Sequence, residues 1–296
     1  KSFTFRTEEA GSEGLRIALP VNRVMIENGR VTYEDVDRQF KAAVTDLKGS
    51  VTYRDKSGSV RVFLGGKTQA GPQRNLKLDY TYFMNSGMFK AEVSFKDAAL
   101  AAWLPYALPG KNASVGSGTF SLDLSGEGSA LSPGKFRMKG LMSVQKGGLV
   151  IGGVPVENLD AYLSVDGSRL NLEKSGFMIW GGKASAKGRA WDIFERPKYD
   201  AEISVAGIEA ARIVPKTLSG KLDLTAWLKG EADKPRLSMK LIWDGAGVYA
   251  ARFGRLEAGA LLDSQGFELI DINGRPAGGN LSGRGRLEAK AVRGKK

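Results

Sequence analysis

The chain has 296 residues, 42% of them hydrophobic, and it carries a formal net charge of +12. It contains neither cysteine nor histidine, which excludes disulfides, thiolate nucleophiles, cysteine-ligated metals and the usual general base near neutral pH. The positive charge suits anionic partners such as nucleic acid, acidic lipid head groups or lipopolysaccharide, and it equally fits a solvated surface rich in lysine. No segment approaches the roughly 18 apolar residues of a membrane-spanning helix.

The first residues, Lys1 to Phe3, lack both an initiator methionine and the pattern of a signal peptide. We therefore expect the chain to be a processed product or an excised piece of a longer protein. Any membrane anchor would then lie outside this chain.

Alternation of apolar and polar residues with a period of two predicts strands along most of the chain. Residues 24–35 predict a strand, an Asn28-Gly29 turn and a second strand, and the alternation recurs over residues 76–82, 120–124 and 237–243. The 39 glycines lie mostly between such runs, where they predict turns. Short strands with glycine-rich turns predict an antiparallel sandwich, a barrel or a meander.

Two short helices are predicted between the strands, over residues 98–108 and 208–218. Each segment contains a proline, at positions 105 and 215. Because proline interrupts a helix, both helices should be brief or should end there.

The sequence repeats itself. Residues 159–188 match residues 256–285 at one constant offset, including the leucines, an aspartate and the Gly-Gly pair. Residues 91–95 match residues 201–205 in the same way. Repetition at this scale indicates stacked structural units, and we predict three: residues 1–112 and 113–218, each ending in a short helix, and residues 219–296, a unit that we expect to be truncated.

Patterns that carry chemistry are weak. The pair Gly181-Gly182 lacks the context of a phosphate-binding loop and predicts a tight turn instead. Asp123 and Glu127 resemble a glycosidase pair in spacing alone, and strand alternation places Asp123 on the wet face. Basic residues are interleaved along the strands, unlike those of a nucleic-acid module. We therefore expect no enzyme activity, no catalytic residue, no metal ligand, no cofactor and no nucleic-acid partner.

Three segments resemble the AsmA-like superfamily of bacterial envelope proteins, which includes the TamB type. They are residues 24–35, the unit 159–188 with its repeat at 256–285, and residues 219–231 followed by Pro235. The resemblance implies an elongated, curled antiparallel sheet (a β-groove or taco) of repeated units with short connecting helices, whose concave face is an open hydrophobic groove. It also implies a location in the periplasm of a diderm bacterium, with an inner-membrane anchor in the full-length protein.

We expect the apolar residues that stand in register on the strands to line this groove; the alternative is the closed core of a sandwich. Methionines suit either a surface that adapts to sliding chains or an ordinary core. The candidate groove residues are Phe120, Leu122, Leu124, Met138, Met142, Val144, Leu163, Leu172, Ile179, Leu224, Leu228, Leu237, Met239 and Leu241.

The function that follows from the resemblance is the binding of phospholipid acyl chains and their movement between the inner and outer membranes, with an outer-membrane protein as a further partner. One alternative is a chaperone-like scaffold whose sheet edges pair with strands of outer-membrane protein clients. Another is a structural spacer of the periplasm. A channel continuous along the sheet favours lipid transfer, a long unpaired edge strand favours the scaffold, and a closed, filled interior favours the spacer.

Overall fold

The computed structural model describes residues 22–35, 40–68, 75–102, 113–130, 132–193, 196–231, 234–264, 266–276 and 279–288. These residues form one antiparallel sheet of 16 strands, in which each strand pairs with the next one along the chain. The sheet is not closed into a barrel. The protein is therefore an all-β, elongated and curled antiparallel sheet, as predicted, and the meander is the correct choice among the three architectures that the strand pattern left open.

The first eight strands are β1 Arg23–Asp35, β2 Phe40–Arg54, β3 Ser59–Thr68, β4 Leu76–Phe83, β5 Met88–Ala99, β6 Ala113–Ser129, β7 Ser132–Ile151 and β8 Val154–Asp166. The others are β9 Arg169–Ile179, β10 Gly182–Trp191, β11 Lys198–Glu209, β12 Leu218–Glu231, β13 Lys234–Val248, β14 Ala251–Asp263, β15 Gly266–Gly274 and β16 Leu281–Glu288. Odd-numbered strands run one way and even-numbered strands the other.

Helical structure is shorter than the sequence suggested. The helix α1 covers only Ala210–Ile213, between β11 and β12. The flanking residues Ile208 and Leu218 belong to strands, because Ile208 pairs with Leu222 of β12 and Leu218 pairs with Val248 of β13. Residues 100–102 are helical after β5, and the remainder of the predicted helix over 98–108 lies outside the described residues. Odd-numbered strands finish, and even-numbered strands begin, at the same side of the sheet as α1. We call this side the α1 side.

The predicted Asn28-Gly29 turn is wrong, because β1 continues through both residues. Asn28 has a φ of 52° and lies at a shift of register between Ile26 and Gly29. A single residue in the left-handed region makes a β-bulge, which accommodates one extra residue without reversing the strand. Asparagine tolerates that conformation better than most residues, so the same dipeptide serves a turn or a bulge.

Bulges recur along the sheet and form a line. Most strands contain one residue with positive φ at a shift of register, and in all of these strands except β1 it lies on the α1 side of the strand's middle. We call these residues the bulge line; they are Asn28, Asp46, Asp97, Gly118, Lys146, Asn158, Gly207, Gly220, Gly245 and Gly254.

The bulge line bends the sheet. Each bulge bends its own strand and increases its twist, so bulges on consecutive strands bend the sheet as a whole. Most of the buried apolar side chains lie along this bend, among them Leu47, Leu149 and Ile208. The largest cluster of them gathers around α1. The curl of the sheet thus has a local cause in the backbone of most of its strands.

Segments that match in sequence occupy strands six apart. Residues 91–95 lie on β5 and their counterparts 201–205 on β11, while the unit 159–188 starts on β8 and its repeat on β14. The sheet continues without interruption across the predicted boundaries, since β5 pairs with β6 and β11 with β12. The division into three units stays a prediction.

The bulges have caps that mutation can test. The amide of Gly207 donates a hydrogen bond to Asp223 Oδ1 at 2.7 Å, from the neighbouring strand. Asp223→Ala removes the acceptor, so we expect the free energy of unfolding in urea to fall by about 1 kcal/mol. Asp223→Asn keeps an oxygen there and should lose less. Equal losses in both variants would contradict a role for this hydrogen bond.

Candidate functional site

One row of residues runs straight across the sheet in continuous register. Residues that pair directly in an antiparallel ladder point to the same face, so the whole row lies on one side. We call it the central row; it consists of Gly66, Leu76, Phe95, Leu122, Met142, Leu163, Leu172, Gly188, Ala201, Leu228, Leu237, Leu262 and Phe267. Every member is apolar or glycine, and the row spans roughly 60 Å at the usual strand spacing.

Parallel rows widen this apolar strip. One begins at Ile26 in β1 and passes through Leu78 and Leu124 to Pro235 in β13. Two others lie between the central row and the bulge line. We call the surface formed by these rows the apolar face.

All the candidate groove residues lie on the apolar face. Six of them belong to the central row: Leu122, Met142, Leu163, Leu172, Leu228 and Leu237. Leu124 lies on the row that begins at Ile26. Those toward the bulge line are Phe120, Val144, Ile179, Leu224, Met239 and Leu241, and Met138 lies on the other side of the central row.

The exposure of these side chains distinguishes a groove from a closed core. Each of the candidate groove residues is half-buried, neither sealed from solvent nor fully exposed. The largest side chain below 2% exposure in the described chain is Thr68, whereas a sandwich core would seal many leucines and phenylalanines. Within the described residues, no second sheet and no helix longer than α1 lies over the apolar face. The apolar face is therefore a strip whose side chains touch their neighbours sideways and remain open above.

Aromatic residues that the sequence analysis did not select also line the apolar face. The ring of Phe89 stacks on Tyr80, with centroids 6.0 Å apart, and on Phe136, at 5.8 Å. The Phe136 ring lies over Gly126, where a Cβ atom would meet it at 3.0 Å. Burial in this setting raises the pKa of the Tyr80 hydroxyl, as expected of an apolar environment. Alternation over residues 76–82 was the signal that pointed to this end of the face.

The opposite face is polar and is held by ion pairs between strands. Arg61 pairs with Asp79 through two hydrogen bonds, Lys187 with Glu202 at 3.3 Å, and Lys198 with Glu231 at 3.7 Å. Such exposed pairs contribute little to stability. They keep this face in water, and apolar side chains such as Leu141 and Tyr162 stand exposed on it between the charges.

Asp123 and Glu127, the pair considered for catalysis, stand on the polar face, and other carboxylates of the sheet have structural partners. Asp79 and Glu231 form ion pairs, and Asp223 caps Gly207. Asp123 and Glu127 lie on β6 across from Leu141 and Arg137, facing the polar side. The described residues contain no group of three or more side chains suited to a metal ion, and no helix among them has the length and apolar character to cross a membrane.

The Arg61–Asp79 pair makes stability depend on acid. Hydrogen bonds from Arg61 lower the pKa of Asp79 below its ordinary value of 3.8. Because the charged form of Asp79 is favoured in the folded state, the ion pair stabilises the fold when the pH is above the ordinary pKa. This contribution is lost as the pH falls through the lowered pKa. Asp79→Asn should therefore be slightly less stable than the parent near neutral pH, with a smaller loss below about pH 4. Arg61→Gln should remove the same acid sensitivity. The free energy of unfolding, measured as a function of pH, checks this: the same decrease at low pH in the parent and in both variants would contradict it.

Comparison with known proteins gives no match: no family model, no curated protein and no solved structure is similar to this chain.

Proposed function

We propose that the apolar face binds the acyl chains of phospholipids and guides them along the sheet, as a segment of a protein that moves lipid between the inner and outer membranes of a diderm bacterium. The observation that carries the proposal is the continuity of the central row across β3 to β15. In this proposal the protein is no enzyme and needs no cofactor. It acts in the periplasm, held at the inner membrane by an anchor outside this chain.

The energetics favour a strip over a single pocket. Each methylene group removed from water contributes about 0.8 kcal/mol, so exposing one acyl chain costs on the order of 10 kcal/mol. A continuous apolar strip keeps most of that surface out of water at every position along its length. A lipid on the strip therefore meets no large barrier between one strand and the next.

The apolar face offers few polar atoms that would hold a lipid in one place. One of the rows between the central row and the bulge line runs from Phe120 to Leu269, and Ser175 is its one polar residue. The Ser175 hydroxyl is bound to the backbone of Ala186: it donates to the carbonyl at 2.9 Å and accepts from the amide at 2.8 Å. Among the described residues, no buried side-chain polar atom lacks a hydrogen-bond partner. A surface without specific contacts suits passive sliding better than tight binding.

A second candidate function has its own supporting observation. Among the described strands, β1 pairs only with β2, and its side chains Val24 and Met25 are exposed. An edge strand of this kind pairs readily with another strand, as a scaffold for outer-membrane proteins would require. Cross-linking from β1 to a protein, with no lipid on the apolar face, would favour the scaffold.

Lipid extraction tests the proposal directly. We expect the chain purified from a diderm bacterial host to release phospholipid into organic solvent, with at least one molecule per chain by mass spectrometry. Leu124→Asp and Leu228→Asp place a carboxylate on the apolar face, which acyl chains avoid, and should each lose most of that lipid. Leu141→Asp is the matched control, because Leu141 lies on the polar face and is 65% exposed. A folded parent without lipid, or equal loss in all the variants, would contradict the proposal.

Cross-linking tests the face itself with less disturbance. A photoreactive benzophenone side chain at Leu228 should label acyl chains, and the same group at Lys229 should not, because successive residues of β12 point to opposite faces. The same alternation is expected at Leu163 and Tyr162 of β8. Labelling of lipid at all of these positions alike would assign the bound lipid to general adhesion.

A further inference from the structure

The turn between β13 and β14 exposes an aromatic side chain where a small residue is usual. Tyr249 is 74% exposed, more than the other large apolar side chains of the described residues. Its φ is 52°, a conformation that glycine, asparagine or aspartate normally supplies in a two-residue turn. Neither packing nor turn geometry explains a tyrosine at this position.

The neighbouring loop adds apolar surface and positive charge. The amide of Tyr249 donates a hydrogen bond to the carbonyl of Thr217 at 2.7 Å, so this turn lies beside the loop that follows α1. Val214 of that loop is exposed, and so is Lys216, which has no ion-pair partner among the described residues. Arg252 lies at the start of β14, just after this turn. Its guanidinium donates a hydrogen bond to the Ser219 hydroxyl and to no described carboxylate.

We propose that this patch, formed by Val214, Lys216, Tyr249 and Arg252 on the α1 side of the sheet, docks on an anionic lipid surface. Tyrosine favours the boundary between water and membrane, where its ring is apolar and its hydroxyl is wet. Lysine and arginine beside it are attracted by acidic head groups. Their unpaired charge is what an anionic bilayer complements, and neutral membranes would bind weakly.

This inference goes beyond the proposed function and does not depend on it. Docking concerns the tip of a turn on the outside of the strip, whereas lipid transfer concerns the apolar face. Vesicle binding and lipid content are separate measurements, so either proposal can fail without the other.

The experiment compares two matched pairs of substitutions in sedimentation of the full chain with vesicles of phosphatidylcholine, with and without phosphatidylglycerol. The patch variant is Tyr249→Asn with Lys216→Gln; asparagine suits a positive φ, so the turn should stay folded and its thermal unfolding midpoint should not fall. The control is Tyr162→Asn with Lys174→Gln, an exposed tyrosine and lysine that pair across β8 and β9 on the polar face.

We expect the parent and the control to bind vesicles containing phosphatidylglycerol and to release them at high salt. The single substitution Lys216→Gln should weaken binding to these vesicles about fivefold, and the patch variant should bind them more weakly still. Patch variant and control binding alike would overturn the proposal, as would equal binding of the parent to both kinds of vesicle. Self-association of the parent that Tyr249→Asn abolishes, without vesicle binding, would assign the patch to a second copy of the chain instead.

Discussion

The structure depends on register. In an antiparallel ladder, paired residues share a face, and a slip of one residue would move every apolar side chain of a strand to the wet side. This sheet carries one apolar face through its strands because its bulges absorb the extra residues. Val205 and Ile208 are three apart, yet both are buried in the cluster around α1, because the bulge at Gly207 lies between them. The same spacing separates Phe95 from Ala98 around Asp97.

This dependence explains which parts of the structure could be predicted from the sequence. Within a run such as Leu237 to Trp243, alternation alone identifies the apolar face, and every candidate groove residue was found in such a run. The bulges were not predicted, because Asn28-Gly29 has the same local signature in a bulge as in a turn. The stacking of Phe89 on Phe136 joins side chains from β5 and β7, and strand pairing decides such contacts. The helix predicted over residues 208–218 was too long, since apolar and small residues near α1 extend strands as readily as helices.

A single-layer sheet with one apolar face raises a problem that sandwiches solve with a second sheet. The described part of this chain uses curl instead, and its side chains remain half-buried. Ion pairs across the strands require that the other face stays in contact with water. The sheet therefore cannot curl the other way, with its polar face inside and its apolar face outside. An apolar ligand on the strip would supply the missing layer. The fold and the proposed function therefore share one requirement, which is apolar material along the whole central row.

The device that bends the sheet repeats with the same six-strand period as the sequence. On β5 the amide of the bulge residue Asp97 donates to the Ser121 hydroxyl of β6 at 2.9 Å, and on β11 the amide of Gly207 donates to Asp223 of β12. The residues differ, but the cap occupies the same place between Phe120 and Leu122 as between Leu222 and Leu224. What the repetition preserves is thus the bend and the face, while the identity of the capping side chain varies. A strip built in this way gains length by adding units, and its cross-section stays set by the bulges that most strands carry.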